Sequence, residues 1–451
     1  MLEEFLQLHL DDSPFLYYKK EMLSRKAFSQ EVLQLSKTIP DSDEKNTFVY
    51  LQTEEPIDFY IALFTLWYKG FRVVLPTKLS LEEQHAPEYA TYIFSKQDNG
   101  WDLQPNPHSS IQPPEGDTVV FSSGSTGTPK GIVHKKEHFF INAKETYAHI
   151  RIHQTTSLCY LKPYLVSAIS HVMVHWYGRS TIIFDHFENI HRLSDYHTLT
   201  STLNIVGSPI HITTAFSYLK TSALSPQFFF SSGDMISDAH IESILDHFPQ
   251  AIFFKVYGLA EVAGRLFVKR LTRTTIAPDM GTHLPVMDVR IIDNEVVVDS
   301  PILFLGYLID DQYHPRKGSF HTGDLVEAGE NDQWILKGRK NDEVKVAGNK
   351  VAVKYLENII TNVLKSYHVD FISVIPIPHD FFGNTLALIL SQNGQLTANA
   401  LISILRGSLA SYQVPHAYYQ IDTANIPFTQ TMKIDRKKLQ EMVLNQELER
   451  L

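Results

Sequence analysis

The stretch Thr118 to Gly131 constrains this chain more than any other. Thr118-Val-Val-Phe121 reads as the end of a buried strand, because β-branched and aromatic residues suit a pleated, half-buried surface. From Ser122 to Gly131 only hydroxyl residues, glycines, one proline and one lysine follow. Gly124, Gly127 and Gly131 let the backbone turn tightly and bring its N–H groups to a ligand. Ser122, Ser123, Ser125, Thr126 and Thr128 offer hydroxyls, and Lys130 adds a point charge. A loop so built suits a polyphosphate. It differs from the phosphate loop in which Gly-Lys precedes Ser or Thr at a helix start, since Pro129 precedes Lys130 and Gly131 follows it. A Ser/Gly linker is the plain alternative, but linkers rarely follow an apolar strand.

The chain of 451 residues is long for one ordinary domain, so two or three units are expected. With 43% hydrophobic and 20% charged residues it can bury a substantial core. Fifty acidic against 40 basic residues give a net charge of −10, which disfavours a nucleic-acid partner recognised through a basic surface. The lone cysteine, Cys159, excludes an intramolecular disulfide and a cysteine-type zinc cluster. Met1-Leu-Glu-Glu-Phe5 lacks the basic start of a secretory signal. No apolar run approaches the length that spans a bilayer. The expectation is a cytoplasmic enzyme without a membrane or nucleic-acid partner.

Patterning predicts an α/β chain. Pro56 to Lys69 has helical apolar spacing with Pro56 and Asp58 at its start. Gly70 ends it, and a strand from Phe71 to Leu75 follows. Helices are expected over 135–150, 167–177 and 238–247, with strands at 181–184 and 251–256, an alternation that implies helical crossovers. The texture changes at Asp288: Asp293-Asn294 between two apolar runs signals a two-residue hairpin and a β-rich subdomain. Beyond Arg339 an α+β segment is expected, with strands at 343–346, 371–375 and 386–390 and helices at 354–367, 398–409 and 435–448. The boundary is set near Lys340, giving a large N-terminal domain of α/β layers plus a small β-rich subdomain, residues 1–339, and a small α+β domain, residues 340–451.

The run Ser122-Ser-Gly-Ser-Thr-Gly-Thr-Pro-Lys-Gly131 resembles the phosphate loop of the AMP-forming adenylating enzymes, the superfamily of acyl- and aryl-CoA ligases, peptide-synthetase adenylation domains and luciferases. Further segments resemble that superfamily in its own order. Val256-Tyr-Gly-Leu-Ala-Glu-Val262 resembles a segment whose aromatic packs on adenine and whose Glu holds magnesium, which implies those roles for Tyr257, beside Gly258, and Glu261; Ala260 replaces an expected Thr. Ser231-Ser-Gly-Asp234 resembles the lining of the other adenine face, which implies Gly233 and Asp234. Phe320-His-Thr-Gly-Asp324 resembles the ribose-binding segment, which implies Asp324. Gly338 to Gly348 resembles the hinge and thiol-tunnel motif: Arg339 meets nucleotide, Asn341 stands at the hinge, and Lys345 and Gly348 line the tunnel. Pro427 to Arg436 resembles the segment carrying the catalytic lysine, which implies Lys433, with Met432 where glycine is usual. Each segment alone is an ordinary turn, hairpin edge or solvated lysine; their joint order is the specific signal.

The resemblance implies ATP, Mg2+, and coenzyme A or a carrier-protein phosphopantetheine as cofactors, a carboxylic acid as substrate, a mobile C-terminal domain, and Lys433, Glu261 and Thr126 as catalytic residues. At the acid-pocket gate, Leu165 or Val166 takes a position usually aromatic or His. Between Thr155 and Phe184 there is no acidic residue to pair a substrate ammonium, which disfavours an α-amino acid. His171 and His175 share a helix face and could meet a polar substrate tail, or serve as satisfied core histidines. The expected reaction is acid adenylation followed by transfer to a thiol, first coenzyme A, otherwise a separate acyl carrier protein. The departures at Ala260, Met432 and the gate leave a different class open, a protein that holds nucleotide or acyl-adenylate without turnover.

Overall fold

Two large sheets, with helices packed between them, hold most of the first 340 residues. The structure is a computed structural model and describes residues 1–451 except 42–46, 78–79, 82–85, 110–115, 123–129, 276–278, 311, 330–332, 341–342, 347, 368, 380–382, 393–395 and 430–433. Nine strands form the first sheet, in the order Thr282–His283, Gly264–Leu271, Ile252–Leu259, Phe228–Ser231, Asn204–Gly207, Thr156–Cys159, Thr181–Phe184, Pro14–Tyr18 and Glu21–Ser24. Its centre, from Ile252–Leu259 to Pro14–Tyr18, is parallel, as helical crossovers require. The second, eight-stranded sheet carries Thr118–Ser122 and Lys130–His134 side by side and antiparallel.

The helix Pro56–Tyr68 starts where Pro56 fits the first helical turn and buries every residue to Trp67 except Asp58. A helix apolar nearly all round belongs inside a protein, and this one shares a core with Lys136–Ile150, Val166–Tyr177 and strands of both sheets. Asp238–His247 and Pro209–Leu219 form a separate core on another face of the nine-stranded sheet. Gly131 has a packing duty as well as its place after the loop: a Cβ there would lie 2.9 Å from Leu308 Cβ in the adjoining strand.

The hairpin Asp288–Ile292 and Glu295–Asp299 turns on Asp293 and Asn294, both with positive φ, as the two-residue signal predicts. It joins Phe320–Ala328 and Trp334–Arg339 in a four-stranded sheet. Residues beyond 343 form a short hairpin, Glu343–Val346 with Asn349–Ala352, and a further four-stranded sheet, with cores of their own. The chain is mixed α/β, and its C-terminal part meets the rest through helix Val353–Val363 and the turn after it: Lys354 bonds Asp234 at 3.1 Å, Tyr355 receives the Lys337 ammonium on its ring, and Lys365, just past the helix, pairs with Glu242. Among the described residues no helix is long and apolar enough to cross a membrane.

Candidate active site

The strand expected over 251–256 runs on through Tyr257-Gly-Leu259, then a short turn Ala260–Val262 reverses it into Gly264–Leu271. Gly258 is required in that hairpin: a Cβ there would fall 2.1 Å from the Gly264 carbonyl oxygen. A register shift between Tyr257 and Gly258 sets Gly258 opposite Arg265; such bulges re-aim side chains. The turn is tied to the strand Lys130–His134. His134 Nε2 lies 2.8 Å from the Ala260 carbonyl, so this nitrogen carries the proton and donates. The Phe304 N–H donates to the Glu261 carbonyl at 2.9 Å.

Glu261 is largely buried in this turn, and Tyr307 donates its hydroxyl to Oε1 at 3.0 Å. Burial pushes the carboxyl upward, while the Tyr307 bond and the Arg339 charge oppose the rise. One carboxylate beside phosphate oxygens is a common way to hold magnesium, so the residue fits that ion; no cluster of three or more metal-ligating side chains occurs among the described residues.

Asp324 is built by its neighbours. Gly323 has φ +74°, its N–H donates to Glu295 Oε1 at 2.8 Å, and the Asp324 N–H donates to Thr322 Oγ1 at 3.1 Å. Asp324 and Arg339 are cross-strand partners, with Arg339 Nε 3.2 Å from Oδ1. Oδ2 accepts the Tyr257 hydroxyl at 2.5 Å. Burial raises the Asp324 carboxyl, and the Arg339 cation opposes it. The same burial, with the adjacent carboxylate, holds the Tyr257 phenol well above its ordinary value, so it stays a donor. Thus Tyr257, Asp324 and Arg339, far apart in sequence, form one hydrogen-bonded group whose charges reach Glu261.

Gly233 takes φ +93° and Asp234 meets Lys354. Lys130 is exposed beside Ser122 in register. Lys345 is exposed, and Gly348, at φ +82°, has open space where a Cβ would stand. The expectations for Ser123, Gly124, Ser125, Thr126, Gly127, Asn341 and Lys433, and for the Ser122 side chain, lie outside the described residues.

Leu165 caps and Val166 opens the helix Val166–Tyr177, which carries both histidines. His175 has neither ring nitrogen to spare: Nδ1 sits 2.8 Å from the His171 carbonyl and Nε2 2.9 Å from Ser157 Oγ. Burial drives it down to about 3, so it is a neutral core histidine. His171 differs. Its Nδ1 accepts from Arg265 Nη2 at 2.8 Å, and its buried Nε2 meets no partner among the described residues. Arg265 is the residue that sequence reasoning missed; the signal was a lone arginine in the otherwise apolar run Val262-Ala-Gly-Arg-Leu-Phe-Val268.

Comparison with known proteins agrees with this geometry. The chain matches the AMP-binding enzyme family over residues 69–308. It is 24% identical over 382 aligned residues to the D-alanine–D-alanyl carrier protein ligase of Staphylococcus aureus (strain JH9), covering 73% of this chain and 72% of that one. It is 22% identical over 468 aligned residues to the putative long chain fatty acid-CoA ligase VraA of Staphylococcus epidermidis, covering 99% of each. Its fold is similar to that of the anthranilate CoA ligase AuaEII in complex with anthranoyl-AMP, at a TM-score of 0.79 and 16% identity over 99% of this chain and 98% of the other. ATP or AMP binding, and acid adenylation followed by transfer to a thiol of coenzyme A or a carrier protein, follow from these relationships. The chain belongs to the AMP-binding enzyme family, within the AMP-forming adenylating superfamily.

Proposed function

We propose that this ligase activates a carboxylic acid other than an α-amino acid and delivers it to coenzyme A. The acid carboxylate attacks the α-phosphorus of ATP, pyrophosphate leaves, and a thiolate then displaces AMP from the acyl-adenylate. Both reactants of the first step are anions, so the site must supply positive charge where charge develops. Lys433 is given that position between the reactants, and Thr126 and Lys130, with the other loop hydroxyls, the β- and γ-phosphates. Glu261 would hold magnesium, which supplies charge neutralisation at the phosphates when bound. Residues 1–339 form the nucleotide-binding unit and residues 340–451 a unit that swings about Asn341. Lys345 and Gly348 line the thiol path; the open space beside Gly348 suits a slender pantetheine arm.

The observation that carries the reading is the Tyr257–Asp324–Arg339 group beside Glu261, which joins three separate motifs at one place. The exclusion of an α-amino acid is supported by the wall of helix Val166–Tyr177, which carries no carboxylate and faces a buried arginine. An ammonium there would meet a like charge. A carrier-protein phosphopantetheine is the alternative acceptor, favoured by the likeness to the D-alanyl carrier protein ligase. The setting would be the cytoplasm, where ATP and coenzyme A are at hand.

The test is pyrophosphate release with ATP and magnesium across aryl, short-chain and long-chain acids, followed by labelled acid offered to coenzyme A or to a phosphopantetheinylated carrier protein. Acid-dependent release and label on coenzyme A are expected. Label only on the carrier would overturn the acceptor, and ATP binding without release for any acid would overturn the enzymatic reading.

A further inference from the structure

Arg265 holds a positive charge in the interior with no carboxylate against it among the described residues. It is 4% exposed. Its hydrogen-bond partners among the described residues are neutral: Nη1 donates to Ser170 Oγ and Nη2 to His171 Nδ1. The guanidinium also lies 4.9 Å from the centre of the Phe230 ring, and His171 meets the same ring edge-on at 4.6 Å. Arg25, 0% exposed, is held differently. It donates from Nη1 and Nη2 to the carbonyls of Pro14, His175 and Ser180 and to the Ser13 hydroxyl, although its Nε too meets no acceptor among the described residues.

The donors around Arg265 are left open. Because His171 Nδ1 accepts, the imidazole proton sits on Nε2, a donor. That Nε2 and Arg265 Nε are both buried and meet no acceptor among the described residues. Cys159 offers no counter-charge, since burial pushes its thiol up to about 12. A buried cation with unmet donors is costly, and an anion meets both needs at once.

These residues border the segments assigned to the acid and nucleotide. Ser170 is one helical turn from Val166 at the gate, Arg265 is the cross-strand partner of Gly258 beside Tyr257, and the strand that carries Phe230 leads on toward Gly233-Asp234. Gly264 lets this strand pack closely on its neighbours, for a Cβ there would lie 2.8 Å from Asn142 Oδ1 and 3.1 Å from Ser170 Oγ.

We propose that Arg265, supported by His171, receives a second anionic group on the acid, so that the substrate class is a dicarboxylic acid or its equivalent with one free carboxylate to activate. This rests on the reading of the site as acid-activating. Arg265 is then the specificity-determining residue of the acid pocket.

Acid pairs differing only at the far end test it: a terminal carboxylate against a methyl group or methyl ester, in straight-chain and aryl series, scored by kcat/KM for pyrophosphate release. Wild type is expected to prefer the dicarboxylate of at least one pair by about 10²-fold or more. Arg265→Met should abolish that preference while keeping turnover of the methyl acid, and Arg265→Lys should retain part of it. Equal or better use of the methyl acids by wild type, or an unchanged preference in Arg265→Met, would overturn the proposal. Should Arg265→Met fail to fold, judged by ATP binding and thermal unfolding, the wild-type comparison and Arg265→Lys decide. Turnover of methyl acids alone refutes only this inference, whereas no release with any acid refutes the functional reading beneath it.

Discussion

The Tyr257 hydroxyl lies 2.5 Å from Asp324 Oδ2, while Arg339 holds the other carboxylate oxygen. The aromatic assigned to adenine therefore also fixes the carboxylate assigned to ribose. Asp324→Ala should weaken ATP binding by about 10- to 100-fold, since a hydrogen bond to a charged group is worth about 1.5–3 kcal/mol. Tyr257→Phe should cost less, because it frees Oδ2 but leaves Arg339 in place. Isothermal calorimetry measures both, and unchanged affinity in Asp324→Ala would remove that residue from the nucleotide site.

Lys433→Ala separates the two half-reactions. It should lower acid-dependent ATP–pyrophosphate exchange by about 10²-fold or more, as loss of a group stabilising developing charge does. Thioester formation from added acyl-adenylate should persist. Equal loss of both activities would contradict its assignment to the first step.

Lys354 ties the start of a C-terminal helix to Asp234 in the segment assigned to adenine. If the C-terminal unit moves between steps, this pair belongs to one arrangement only. Lys354→Ala should change the ratio of thioester formation to adenylation a few-fold, in keeping with about 1 kcal/mol or less for a partly exposed pair. Asn341→Pro should spare adenylation and block thioester formation. An unchanged ratio in both variants would count against movement at this joint.

Acid should destabilise the fold through its buried histidines. Burial lowers His134 and His175 to about 3 and His138 and His211 to about 4, against an ordinary 6.5. The unfolded chain takes up protons below that ordinary value while the folded chain does not. Their contribution is therefore present above pH 6.5 and lost as pH falls toward the depressed values. Each site costs up to about 1.4 kcal/mol per pH unit. Asp117, raised to about 6 by burial, works in the opposite direction and offsets part of the loss. Scanning calorimetry should show Tm falling between pH 7 and pH 5, with a shallower fall in His175→Gln. A flat profile would refute this account.

The sequence made the local parts of the fold legible. Asp293-Asn294 announced its hairpin because both positions need positive φ, and Pro56 announced a helix because its fixed backbone suits a first turn. What the sequence did not disclose depends on distant packing. The strand expected to stop at Val256 continues to Leu259, because Gly258 lets Gly264 approach from the returning strand. His171 and His175 look alike in sequence, yet Ser157 and a backbone carbonyl occupy one while Arg265 engages the other. Arg265 escaped notice because a single buried cation has no local pattern; only the apolar run around it marks the position. Asp324 was readable as a turn residue, but its bonds to Tyr257 and Arg339 required the sheet.

The most direct test of the central claim is the nucleotide product formed when the chain is incubated with ATP, magnesium, an acid panel and coenzyme A or carrier protein. Mass spectrometry should find AMP and an acyl thioester in equal amounts, both dependent on the acid. ADP as the product, or ATP bound but intact with every acid, would contradict it.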